Sequence, residues 1–73
     1  MKELFTVRAE ALKARGAEYT KLIRLANLAA RRVSPESSQM HVAKLAFLCE
    51  IIGHYESGDM AWKEAIKFVS FAL

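Results

Sequence analysis

A chain of 73 residues with one cysteine and a formal net charge of +3 is one domain at most, carries no internal disulfide, and lies in the size range where a single core is marginal without help. No apolar run approaches the roughly 18 residues a membrane span needs. Charges at Lys2, Glu3 and Arg8 break up any secretory h-region at the start, so the expectation is a cytoplasmic protein with no membrane segment.

Only one proline and three glycines punctuate the chain, and no period-two alternation lasts beyond a few residues. The class is therefore all-α. We expect residues 1–73 to form a single helical domain. It is read as a small three-helix bundle, with a long first helix paired antiparallel with the second, and a C-terminal helix.

The first helix is expected over residues 3–33, continuous or kinked at Gly16. A continuous helix lines up Phe5, Ala9, Leu12, Gly16, Tyr19, Ile23, Ala26, Ala30 and Val33 at alternating steps of four and three, a heptad seam rich in small residues. Glycine inside a helix costs about 1 kcal/mol relative to alanine, and packing at the seam would compensate. Arg8 and Arg15 conflict with this reading because they project into the apolar arc. Either the helix breaks at Gly16 and its first segment turns, or its N-terminal half runs past the core. Lys13, Arg24 and Arg31 share a narrow arc with Thr20 and Asn27, and Lys21 and Arg32 lie to one side; together they read as a solvent-facing basic stripe.

The first boundary is Val33-Ser34-Pro35-Glu36, where Ser34 suits the N-cap, Pro35 the first helical position and Glu36 the positive end of the helix dipole. The second helix, Gln39 to Glu56, is apolar almost all the way round, with Gln39, Glu50 and His54 as a narrow polar strip. Such a helix needs cover on nearly every side. Val42, Ala46, Cys49 and Gly53 repeat the four-three-four spacing with small side chains and are expected to pack against the seam of the first helix. Cys49 reads as a buried small hydrophobe in a reducing compartment.

Ser57-Gly58-Asp59 is the second boundary, with Gly58 closing one helix in a left-handed conformation and Asp59 capping the next. The third helix, Met60 to Leu73, turns Ala61, Trp62, Ala65, Ile66, Phe68, Val69, Ala72 and Leu73 to one side. Lys63, Lys67 and Ser70 take the other, and Phe71 falls outside the apolar arc.

Charge is uneven along the chain. Residues 1–35 hold eight Lys or Arg against three Glu, giving +5, and residues 36–73 hold three against five acids, giving −2. A basic stripe can meet phosphates through counterion release or steer an acidic protein, and equally it can be plain solvated surface. The second helix makes a poor DNA reader, because beyond its first turn it offers mainly Lys44, Glu50 and His54 to base edges. Catalysis finds little footing. Glu50 and His54 share a face at i, i+4, which suits a surface ion pair; His41 points elsewhere, so no closed metal site is expected. Cys49 and His54 lie about 140° apart and cannot form a nucleophile–base pair on one helix.

The expectation is a non-enzymatic helical protein without metal or cofactor. It would act by protein–protein contact, as a homo-oligomer or as a modulator or inhibitor docked on a larger partner. The candidate interface residues are Phe47, Ile51, Tyr55, Trp62, Phe71, Arg8 and Arg15. The alternative is a basic accessory protein binding nucleic acid through Lys13, Lys21, Arg24, Arg31 and Arg32.

Overall fold

The computed structural model describes residues 4–32 and 38–73. The expected cap at Ser34-Pro35-Glu36 lies outside the described residues. The chain forms an all-α bundle in the order α1 (Ala9–Arg15), α2 (Ala17–Arg31), α3 (Ser38–Ser57) and α4 (Trp62–Phe71).

The long first helix is two helices. Gly16 adopts φ 64°, ψ −142°, a conformation that L side chains rarely reach, and it ends one helix and begins the next. Its N–H donates to the Leu12 carbonyl at 2.7 Å, and its own carbonyl accepts from the Tyr19 N–H at 3.2 Å. The break resolves the conflict over the two arginines. With α1 redirected, Arg8 lies 3.6 Å from the Glu56 carboxylate, and the Arg15 guanidinium sits 5.3 Å over the Tyr55 ring. A continuous helix would have pushed both into the apolar arc.

α2 is the central element and packs on both α3 and α4, which also pack on each other. It contributes Tyr19, Leu22, Ile23, Ala26, Ala29 and Ala30 to the core, where they meet Leu48, Ile51, Ile52 and Tyr55 of α3 and Ala65 and Val69 of α4. Tyr19 and Tyr55 stack at 6.3 Å between centroids. The expected seam is thus used from Tyr19 to Ala30, whereas Ala9 and Leu12 are exposed; Val33 lies outside the described residues.

Gly58 closes α3 as the sequence suggests. With φ 85°, it directs its N–H to the Tyr55 carbonyl and that of Asp59 to the His54 carbonyl, the paired bonds of a Schellman motif. Asp59 is therefore spent on ending α3 and does not cap α4. The residue before α4 is Ala61, in extended conformation and without a side-chain cap. Trp62 fixes this end instead, its indole N–H donating to the Glu18 carbonyl at 2.8 Å. Phe71, outside the apolar arc as expected, is 73% exposed.

Candidate functional site

α3 buries residues only in its second half. Leu48, Ile51, Ile52 and Tyr55 are in the core, but between Gln39 and Phe47 no residue is buried. His41, Lys44 and Leu45, on the core-facing side, are half-buried, whereas Met40, Val42, Ala43, Ala46 and Phe47 are exposed. The first half of the helix is therefore mixed: His41 and Lys44 turn toward the bundle with Leu45, which packs on the core, and the exposed side carries Val42, Ala43 and Ala46 beside Gln39.

The small-residue seam goes with the outward set. Val42 is 65% exposed, Ala46 and Cys49 are exposed, and Gly53 is half-buried. This overturns two expectations, that the seam packs on the first helix and that Cys49 is buried. At 100° per residue the seam centres about 140° round the helix from Leu48, Ile51, Ile52 and Tyr55. The larger side chains fill the core, and the seam is left outside.

Cys49 and Gly53 instead line a groove of about 1070 Å³ between α3 on one side and α1 with residues 4–8 on the other. Ala11, Ile23 and Ile52 give it apolar surface, and Arg8, Glu10, Arg15 and Glu56 supply its charges. A polar network closes one wall. The Tyr19 hydroxyl donates to the Glu56 carboxylate and accepts from the Arg8 backbone N–H at 3.3 Å. Burial, reinforced by that bond to Glu56, pushes the Tyr19 hydroxyl above its ordinary pKa. Burial, with the nearby Glu18 charge, does the same at Tyr55.

The sequence-based interface residues divide accordingly. Phe47 and Phe71 are exposed; Ile51 and Tyr55 are 3% and 5% exposed and belong to the core, so they cannot offer a free surface. Trp62 is half-buried and docked on α2, and Arg8 and Arg15 border the groove with the partners already described. Phe47 also flanks a smaller hollow of about 280 Å³, shared with Glu50, Ile51, His54, Met60 and Phe68.

The basic stripe is split by the break at Gly16. Lys13 belongs to α1, Lys21, Arg24 and Arg31 to α2, and Arg32 follows at its end. All five are exposed. Asn27, read as part of this solvent-facing stripe, is 2% exposed, and its amide is bonded to the backbone of Phe5. His54 lies 3.8 Å from Glu50, the i, i+4 pair the sequence suggests, and 3.8 Å from Asp59. No group of three or more His, Cys, Asp or Glu among the described residues is placed to hold a metal ion.

Sequence reasoning missed the groove, the Tyr19–Glu56–Arg8 network and the role of Asn27. The conflict at Arg8 and Arg15 was the one available signal, since two misplaced cations call for an acid or a ring elsewhere. No protein family, characterised protein or solved structure matches the chain. Among the described residues no helix is long and apolar enough to cross a membrane.

Proposed function

We propose that this protein acts by protein–protein contact through the outward face of α3, as a self-associating chain or as a modulator docked on a larger cytoplasmic partner. The observation that carries the reading is the set of apolar side chains left exposed along the first half of α3. Scattered exposed apolar side chains are ordinary, but Val42, Ala43 and Ala46 are adjacent on a helix whose core-facing side carries His41 and Lys44 as well as Leu45. Solvation of the isolated fold would favour polar side chains at positions 42, 43 and 46. Covering such a face removes apolar area from water at about 25 cal/mol per Å².

A photo-crosslinking residue placed at Val42 tests this in cells expressing the chain. Adducts with another polypeptide are expected from position 42 and not from Lys67, which is exposed on α4. An absence of adducts from position 42 overturns the reading.

A second reading rests on Lys21, Arg24, Arg31 and Arg32, which are exposed within about 100° of one another around α2 with no acid among them. Phosphate binding there would weaken as salt rises. Leu28 lies in the middle of this arc and is 42% exposed, which suits an acidic protein surface better than a sugar–phosphate backbone. Titration with duplex and single-stranded nucleic acid at two salt concentrations decides it. No salt-sensitive shift removes the nucleic-acid reading.

A further inference from the structure

We infer that the outer face of α2 docks an acidic amphipathic helix of another protein, which sets an apolar side chain on Leu28 and carboxylates against Arg24, Arg31 and Arg32. The inference rests on the basic face of the second reading above and names what binds it.

The face is what remains of α2 once the fold has taken its share. Tyr19, Leu22, Ile23 and Ala26 turn one side of the helix into the core. At 100° per residue Lys21, Arg24, Leu28, Arg31 and Arg32 fall on the opposite side, and all five are exposed. From Tyr19 to Arg32 the sequence carries no Asp or Glu. Lys21, Arg24 and Arg32 form no ion pair with any described residue. Arg31 is tied back along the helix, its Nε donating to the Asn27 carbonyl at 3.4 Å.

Three arginines surround one leucine. On a helix surface a side chain has its neighbours three and four positions away, and those of Leu28, which is 42% exposed, include Arg24, Arg31 and Arg32. Guanidinium forks match carboxylates and phosphates alike, so the arginines alone do not choose between them. Leu28 does. A sugar–phosphate backbone offers little apolar surface to a leucine leaving water. A lipid surface calls for a broad apolar helix face, and that of α2 is turned into the core. A helix with an apolar side chain among Asp or Glu at spacings of three and four meets both demands, with an apolar contact at the centre and ion pairs around it.

A second copy of this chain does not bring such a helix. Of the acids in the described helices, only Glu50 and Glu56 share one. The position midway between them is Gly53, which has no side chain to set on Leu28, and Glu56 already holds Tyr19 and Arg8. The complementary acids therefore come from a different protein.

The probe is a fluorescent synthetic peptide repeating Leu-Ala-Ala-Glu-Glu-Ala-Ala, which places glutamates three and four residues from each leucine. Anisotropy titration with the whole chain should show binding at about 10 µM that weakens as salt rises. Arg24→Glu with Arg32→Glu should keep the helical circular dichroism and weaken binding by more than about tenfold. Lys63→Glu with Lys67→Glu, an equal change of net charge at exposed positions on α4, should leave binding within about twofold. A peptide with lysine in place of glutamate should bind the Arg24→Glu, Arg32→Glu chain and not the parent. Leu28→Ser should weaken binding of the leucine peptide and not of one carrying serine in its place. No binding of the peptide, or equal losses from the two charge pairs, overturns the inference. Tighter binding of DNA or of phosphatidylserine vesicles through the same arginines also overturns it. If DNA binds and the peptide does not, the nucleic-acid reading stands alone; if neither binds, both fall. In cells, a photo-crosslinking residue at position 28 should capture a polypeptide whose sequenced adduct has Asp or Glu three or four residues from an apolar side chain. An adduct lacking such acids, or no adduct, overturns the choice of partner.

Discussion

Asn27 holds Phe5 by both of its backbone polar groups. The Phe5 N–H donates to Asn27 Oδ1 at 2.9 Å, and Asn27 Nδ2 donates to the Phe5 carbonyl at 3.0 Å. A side-chain amide thus does what a neighbouring strand would do, satisfying an extended segment that has no secondary structure of its own.

Removing that amide should release the N-terminal segment. Asn27→Ala forfeits two hydrogen bonds worth about 1 kcal/mol each, so a loss of about 2 kcal/mol is expected in urea unfolding. Asn27→Asp should cost more, because it replaces the donor with an oxygen facing the Phe5 carbonyl. If the Phe5 amide stays as protected from hydrogen exchange in Asn27→Ala as in the parent chain, the clamp is not what holds this segment.

The two glycines that lie within or between helices should respond with opposite signs. Gly16→Ala forces an L side chain to φ 64° and is expected to destabilise by about 1–2 kcal/mol, although the site has room for the methyl group. Gly53→Ala adds a methyl group to open space in a helix and should stabilise the monomeric fold by about 1 kcal/mol. Thermal unfolding of both variants at low concentration checks the pair.

Alkaline pH should unfold the protein partly through its tyrosines. The pKa of Tyr19 is raised in the folded state by burial and by its bond to Glu56, and that of Tyr55 by burial and by the Glu18 charge. Above about pH 10 the unfolded chain gives up these protons before the folded one does, so the unfolded state binds fewer protons and stability falls as pH rises. The contribution is complete below the ordinary tyrosine value and is lost as pH climbs through the raised ones. Tyr19→Phe should be less stable at pH 7, through loss of the hydroxyl bonds, and should show a shallower decline above pH 10. An equally steep decline would assign the effect elsewhere.

Trp62→Phe should cost about 1 kcal/mol by leaving the Glu18 carbonyl without the indole donor. The loss should concentrate at the start of α4, which has no side-chain cap. Chemical denaturation gives the magnitude, and exchange of the Ala65 amide, which bonds the Ala61 carbonyl, gives the location.

Several of these features were legible in the residues alone and others were not, for physical reasons. The all-α class and the end of α3 at Gly58 follow from sparse punctuation and local turn chemistry, which act over a few residues. Gly16 was legible as a conflict, because a heptad seam through it required Arg8 and Arg15 in apolar surroundings. Asn27 was not legible. It sits among Thr20, Arg24 and Arg31 on the helical projection, and its partner lies 22 positions away. Nor could periodicity choose which arc of α3 faces inward, since a helix apolar all round offers two answers. Packing decides between them by size: Leu48, Ile51, Ile52 and Tyr55 fill the space beside α2 and α4, and the smaller Val42, Ala46 and Cys49 cannot.

The break at Gly16 also sets an order of events in folding. The core of α2, α3 and α4 is nearly complete without α1, which buries Ala11 alone. The arm is tied to that core through Gly16, the Asn27 clamp on the preceding segment, and the Arg8 contacts with Tyr19 and Glu56. Such an arm is a separate cooperative unit, able to open without global unfolding. In refolding it should dock last. In the native protein its amides should exchange ahead of those in α2, and a trypsin-like protease should cut at Lys13 and Arg15 while the three-helix core still stands.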